Sequence, residues 1–404
     1  MLIFLCWLIY STSYLGKVNY SANITQIIDF YGVTKAQAGA VPTFFFFAYG
    51  IGQVFNGLFC KRYNIKWTIL LSLIVSAAIN FAIAITTDFS IIKWLWLVNG
   101  FVLSILWPTM VRLLSEALPQ KMLGISSVIM GTTVATGTLV IYGLSSLYAA
   151  FDCFKMSFYT AAIAIAAVSV AWFLFYNKFV SVSKEEKDAE EAVIEEKVEV
   201  STEKTSAIGQ KKLFYATIYS LCFCAVGVNL IKDGLTTWVP SILKEEFSMG
   251  DSLSILLTLL LPIIAVFGNA AALKMHEKMP DYVNHCATVF AVIALFIGII
   301  IGSLALKLVA FMLIGLVIVN FLASSLNSLV TSIFPLFMRG KINSGFIAGI
   351  INGFCYLGST ISAYGLGVIA DNFGWTAVFV TLIGFCAATL AVWMVYTALK
   401  RKLL

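Results

Sequence analysis

The chain is poor in charge: Asp, Glu, Lys and Arg make up 11% of its 404 residues, where soluble domains carry about 25%. That scarcity excludes a cytosolic enzyme. Histidine is scarcer still. His276 and His285 are the two in the chain; they flank one connection, away from the middle of any apolar run, and have no metal partner at ligand spacing. Neither a metal nor a cofactor is expected. The eight cysteines form no CxxC pair and lie mostly inside apolar runs, where an unpaired thiol is a small apolar residue. The opening MLIFLCWLIYSTSYLGK lacks the basic n-region and small-residue cleavage site of a signal peptide. It reads as a first transmembrane helix, one that could lack a few residues upstream.

What fills the chain instead is apolar: 60% hydrophobic residues, with a mean hydropathy of +0.95. Runs of about 20 apolar residues are the mark of membrane-spanning helices. They fall at 1–29, 37–60, 67–87, 92–117, 124–148 and 156–177, then at 213–243, 253–273, 284–304, 309–336, 343–370 and 375–398. The expected fold is an all-α integral membrane protein of 12 transmembrane helices in two pseudo-symmetric six-helix bundles, with an N-terminal half at 1–180, a charged linker at 181–212 and a C-terminal half at 213–404. Residues Lys184 to Lys212 hold 9 of the 20 acids but 6 of the 26 bases. Without a sustained apolar face, the linker reads as a flexible or weakly helical tether.

Orientation follows from the alternation of basic connections. One set, with Lys61, Arg62, Lys66, Lys121, Lys274, Lys278, Arg339, Lys341, Lys400, Arg401 and Lys402, has 11 bases; the opposite set, with Lys35, Lys93, Lys155, Lys244 and Lys307, has 5. Both termini and the linker are expected in the cytoplasm, and the chain in the cytoplasmic (inner) membrane.

The halves repeat. A slide of 215 residues puts Lys17 on Lys232 and Ser21 on Thr236; a slide of 221 puts Gly124 on Gly345 and Gly137 on Gly358. One residue more places Tyr142-Gly143-Leu144 on Tyr364-Gly365-Leu366. Parallel six-helix repeats are a transporter architecture in which substrate binds near the midplane. Pores usually arise by symmetric oligomerisation, so a duplicated chain argues against a channel; a monomer in membrane lipid is expected, with no nucleic-acid partner.

Lys17 and Lys232 lie well inside the first and seventh spans. Each costs about 2.5–3.5 kcal/mol at the bilayer centre and needs water or a partner. Related by the repeat, they are expected to face one another across the cavity between the halves, where an anion would relieve their repulsion. Tyr10, Tyr14, Lys17 and Ser21 share one helical face, and Asn229, Lys232 and Thr236 share the corresponding one. Their hydroxyl and amide groups suit anionic oxygens. Alternatively, Lys17 pairs with a carboxylate such as Asp233. Asp233 itself could couple protons, pair with Lys17 or sit in a packed interface; it is not expected to face Lys232, because neighbours in sequence diverge on a helix. Arg112 and Glu116, at i and i+4, are expected to lock the end of the fourth span. Gly345, Gly349 and Gly353 form a stripe that would let the eleventh span approach a neighbour.

Tyr14-Leu15-Gly16-Lys17-Val18-Asn19-Tyr20 resembles the first-helix motif of the organophosphate:phosphate antiporters, and of the related anion:cation symporters, in the major facilitator superfamily. Ile231-Lys232-Asp233-Gly234-Leu235-Thr236-Thr237-Trp238-Val239-Pro240 is similar to the antiporters' seventh-helix motif, and Trp107-Pro108 with Arg112, Phe354-Cys355-Tyr356-Leu357-Gly358 and Asp371-Asn372-Phe373-Gly374-Trp375 extend the resemblance. It implies that Lys17 and Lys232 stand where the family places two arginines on the substrate phosphate, with Tyr10, Tyr14 and Tyr356 in the pocket. The departures are lysine at both cationic positions, which loses the bidentate fork, Gln53 for a common lysine, Thr133 for a common histidine and Asn229 for a tyrosine. The loop Gly57-Leu58-Phe59-Cys60-Lys61-Arg62 also lacks the superfamily's aspartate.

The expected function is not enzymatic. It is alternating-access transport of a small organic anion, an organophosphate first, in exchange for inorganic phosphate, since few carboxylates and no suitable histidine stand ready for protons. Carboxylates, phosphonates and sugar acids stay open as substrates. The alternatives are proton-coupled symport through Asp233 and a transporter-like sugar-phosphate sensor.

Overall fold

The computed structural model describes residues 1–59, 62–194, 208–337 and 344–403, and among these there are helices and connecting turns and no strand. A chain this apolar has to satisfy its backbone internally once in lipid, and helices do so. In the first half, α1 (Leu2–Ala22) and α2 (Ile24–Tyr31) make one span, α3 (Lys35–Phe59) the second and α4 (Ile65–Ile85) the third. The fourth is α5 (Phe89–Ser104) with α6 (Leu106–Ala117), the fifth α7 (Gln120–Gly131) with α8 (Thr133–Ala149), and the sixth α9 (Lys155–Ile194). The second half follows with α10 (Ile208–Phe247), then α11 (Asp251–Thr258) with α12 (Leu260–Lys278), then α13 (Tyr282–Ala305). The tenth span is α14 (Val309–Ser328), a π turn at Leu329–Ile333 and α15 (Phe334–Phe337). Finally α16 (Ser344–Leu403) holds the eleventh and twelfth spans, parted at Gly374 with φ 77° and ψ 176°. Its 60 residues would run about 90 Å unbroken, three times the hydrocarbon thickness. Glycine tolerates the backbone conformation that ends the eleventh span.

Among the described residues ten stretches, from Lys35 onward, are long and apolar enough to cross a membrane, and the last, Gly349–Leu403, is long enough to cross twice. The expected spans coincide with the observed helices, with two differences. Several spans are broken, at Asn23, Ile105, Thr132 and Leu259, where apolar composition alone carries no sign of a break. The sixth helix also runs on to Ile194 and the seventh begins at Ile208, so both ends of the expected tether are helical. Residues 195–207 lie outside the described residues, as do Lys61, Arg339 and Lys341 from the base-rich connections.

The repeat reappears as packing. A side chain added at Gly137 in the fifth span would strike the carbonyl oxygen of Ser11 in the first; one added at Gly358 in the eleventh would strike that of Val226 in the seventh. Ser11 and Val226 are themselves 215 residues apart, the same slide that pairs Lys17 with Lys232. The same crossing is thus built twice. The glycine stripe behaves otherwise than expected. A side chain at Gly349 would meet nothing within 4 Å, and one at Gly353 would meet Val54 at 3.6 Å. Close approach falls on Gly358, while Gly353 lines an open groove between the second and eleventh spans.

The halves are fastened at one end. Asp371 accepts from the N–H groups of Lys35 (3.2 Å) and Ala36 (2.7 Å), capping the second span from across the half boundary. A carboxylate at a helix N-terminus is favoured by the dipole. Lys35 reaches Glu245 at 3.1 Å and Asp371 at 3.7 Å, and the Trp375 indole N–H donates to Glu245 at 2.9 Å. Lys244 joins Asp29 to Asp251. At the opposite end Arg112 pairs with Glu116 at 2.7 Å, as its spacing predicts, and donates to the Tyr63 carbonyl at 3.0 Å, and Lys400 pairs with Asp281.

Asp281 caps α13 through the N–H groups of Val283 and Asn284. Burial pushes its carboxyl up, but the Lys400 ammonium and those N–H groups outweigh burial and hold it below the usual value. A depressed folded-state value means stabilisation that is fully present above the ordinary carboxyl pKa and lost as pH falls through the folded one. Wild type is therefore expected to unfold at higher temperature than Asp281→Asn at neutral pH. The gap should close as pH drops below about 4, and thermal unfolding in detergent as a function of pH measures it.

Candidate functional site

Lys17 projects from α1 into a ring of aromatic side chains. Its ammonium lies over the ring of Tyr49 at 4.0 Å, Tyr14 at 4.8 Å, Tyr356 at 5.7 Å and Phe45 at 5.8 Å. Aromatic faces attract a cation, more so when water is scarce. Tyr10 stacks by its edge on Tyr14 (5.6 Å between centroids) and lies 5.0 Å from Trp107. The Tyr49 ring lies 4.7 Å from that of Tyr356. Three tyrosines, from the first, second and eleventh spans, thus converge on one ammonium, and Tyr10 packs against one of them.

The helix beneath Lys17 is pinned from behind. The Gly16 carbonyl accepts from Asn99 at 2.8 Å, Asn19 donates to Asn80 at 2.9 Å, and Ser76 donates to Asn99 at 2.7 Å. A side chain at Gly16 would collide with Asn80 and Ile165. Amides of the third and fourth spans hold this part of the first span through hydrogen bonds inside the bundle, which fixes where Lys17 emerges.

Across the half boundary the picture differs. Lys232 pairs with Asp233 at 3.4 Å, against the expectation that sequence neighbours diverge. Four methylenes let the lysine fold back along the helix, so side-chain reach overrides Cβ direction. Asp233 also accepts a hydrogen bond from Ser359 of the eleventh span. The Asp233 carboxylate is thus committed to Lys232. Asn229 spends its amide N–H groups on the Ala225 carbonyl and on Asn327, each at 3.1 Å. The Thr236 hydroxyl donates to the Lys232 carbonyl at 2.9 Å, and the Thr236 carbonyl accepts from Tyr142 at 3.2 Å. Asn327 lies just before the π turn at Leu329–Ile333, a kind of helix defect that recurs at functional sites.

Sequence reasoning missed Tyr49, Phe45, Ser359 and Asn327. Tyr49 carried a signal as the one hydroxyl in the run Phe44-Phe45-Phe46-Phe47-Ala48-Tyr49, one turn before Gln53. Ser359 carried one too, three residues beyond Tyr356 on the same face. Asn327 carried none.

The model of the family described as Major Facilitator Superfamily matches residues 6–363. The chain belongs to the Major Facilitator Superfamily. It is a membrane transporter, not an enzyme. This superfamily member is 21% identical over 394 residues to "Sugar phosphate exchanger 3" of Homo sapiens, covering 87% of this chain and 78% of that one. It is 19% identical over 404 residues to the "Probable hexose phosphate transport protein" of Chlamydia trachomatis serovar D, covering 93% and 85%. Among solved structures, a bacterial homologue of the human lysosomal transporter Spinster, described as inward-facing and occupied, superposes with a TM-score of 0.76 at 12% identity, covering 98% of this transporter and 96% of that chain. At that identity the likeness is one of fold.

Proposed function

We propose that this transporter exchanges a small organic phosphate for inorganic phosphate, the halves 1–180 and 213–404 rocking about a site made by Lys17, Lys232, Tyr10, Tyr14, Tyr49 and Tyr356, with Asn229 and Thr236 at its margin. The observation that carries this reading is the Lys17 ammonium: set within a span among phenol rings, it has no carboxylate at ion-pair distance among the described residues. An anion supplies the missing counter-charge, and its oxygens accept from the surrounding hydroxyls. The Lys232–Asp233 pair leaves Lys17, among the described residues, as the one uncompensated charge of the empty site; an arriving phosphate competes with Asp233 for Lys232 and ties the halves together. Two relatives named for sugar phosphate exchange and hexose phosphate transport support phosphate esters as the class. By the asymmetry of its bases the Arg112 end faces the cytoplasm, with both termini and the linker, and the Lys35 end faces outward.

Counterflow of labelled phosphate in proteoliposomes preloaded with sugar phosphates, carboxylates or sugar acids tests it. Trans-stimulation by phosphate esters is expected; stimulation by carboxylates alone would overturn phosphate recognition, and binding without flux would mean a sensor. Asp233, held by Lys232 and Ser359, invites the rival reading of proton-coupled symport. On the exchange reading, an imposed pH gradient drives no accumulation in wild type or in Asp233→Asn. Gradient-driven uptake in wild type that disappears in the variant would establish symport.

A further inference from the structure

A groove of about 700 Å³ runs along the outside of the bundle between the seventh and twelfth spans. On the seventh it is lined by Lys212, Tyr215, Tyr219 and Phe223 and on the twelfth by Val395 and Leu399. Tyr219 is 73% exposed, Val395 61% and Tyr215 56%, so these side chains meet the bilayer. Residues 212, 215, 219 and 223 follow one another at helical spacing along a single face. Eleven residues of rise span about 16 Å, half of a hydrocarbon core of about 30 Å, which is the depth of one leaflet. The charge is all at one mouth, on the Arg112 side: Lys212, with Arg401 and Lys402 exposed just beyond Leu399. Among the described residues these three bases have no ion pair, whereas the neighbouring Lys400 is committed to Asp281.

We propose that the groove holds one anionic glycerophospholipid of that leaflet, its phosphate on Lys212, Arg401 and Lys402, its tyrosine-lined neck at interfacial depth, and an acyl chain against Phe223 and Val395. Tyrosine prefers the membrane–water boundary, and basic clefts between spans on the cytoplasmic side suit anionic headgroups. Free phosphate would match the bases but leave the apolar wall uncovered; a zwitterionic lipid would match the wall and gain little from the bases. The site lies outside the bundle and is independent of what the central lysines bind.

Titration of the full chain in detergent, read by native mass spectrometry, tests this with phosphatidylglycerol against phosphatidylcholine of the same acyl chains. Phosphatidylglycerol is expected to be retained preferentially, with about a fivefold loss of affinity for each of the three bases changed to glutamine. Chain-free glycerophosphoglycerol should not displace it. Val395→Trp, which fills the groove and leaves the charges in place, should lose the lipid as well, while elution profile and helicity report folding. Equal retention of the two lipids, preference surviving in Lys212→Gln/Arg401→Gln/Lys402→Gln, or displacement by the chain-free headgroup would each overturn the proposal.

Discussion

Lys17→Gln is expected to lower phosphate counterflow on the order of 100-fold at sub-saturating substrate, with helicity and unfolding temperature little changed. Truncating one member of a desolvated charge pair typically costs about 2–5 kcal/mol, and here the second member is the substrate itself. Stability should hold because Lys17 makes no ion pair among the described residues, so its removal strands no carboxylate. Glutamine also keeps the length and can still donate to a tyrosine oxygen. Lys17→Arg should retain exchange, since guanidinium stacks on tyrosine rings and binds phosphate in a fork. Lys232→Gln makes the contrast. It leaves Asp233 without its cation, so loss of activity there mixes a structural cost with a lost ligand. The double change Lys232→Gln/Asp233→Asn separates them: stability returns and exchange does not. Counterflow at wild-type level in Lys17→Gln would end the role assigned to this lysine.

The second large effect is on conformation. Gly39→Ala is expected to hold the Lys35 end open. A side chain at Gly39 would collide with the Ala363 backbone carbonyl and the Trp238 ring, and Trp238 is fixed by its own bond to that carbonyl at 3.2 Å. Neither neighbour can move without parting the second and eleventh spans. Overpacking costs about 1–3 kcal/mol. Applied to one of two rocking states, that shifts their ratio by roughly 5- to 150-fold. Both states can fold, so the expected signature is a longer distance between spin labels at Phe30 and Phe373, both exposed at this end, together with reduced flux. An unchanged distance distribution would show that the crossing relaxes locally.

Much of this transporter was legible in its residues. Spans and their order follow from hydropathy, because apolar runs of about 20 residues cross a bilayer as helices, and the repeat follows from residues matched between the halves. The lysines at 17 and 232 stood out because a cation in an apolar run has to be explained. The broken helices were invisible, since Asn23 looks like any polar residue until its amide is seen bonding the Asn19 carbonyl at 2.7 Å and Ser145 at 3.0 Å. The glycine stripe misled for a related reason: spacing shows which residues share a face, and only packing shows what that face meets.

The sequence by itself determined that this is a helical membrane protein built of two related halves with two cations inside it. Tertiary structure alone decided that the lysines are unlike, one ringed by tyrosines and the other paired with its own neighbour. It also decided that the halves are fastened at the Lys35 end. The physical reason is reach. Helix periodicity fixes where a side chain leaves the backbone, but the partners of a long lysine, and of a carboxylate that caps a helix more than 300 residues away, are set by which spans the fold brings together.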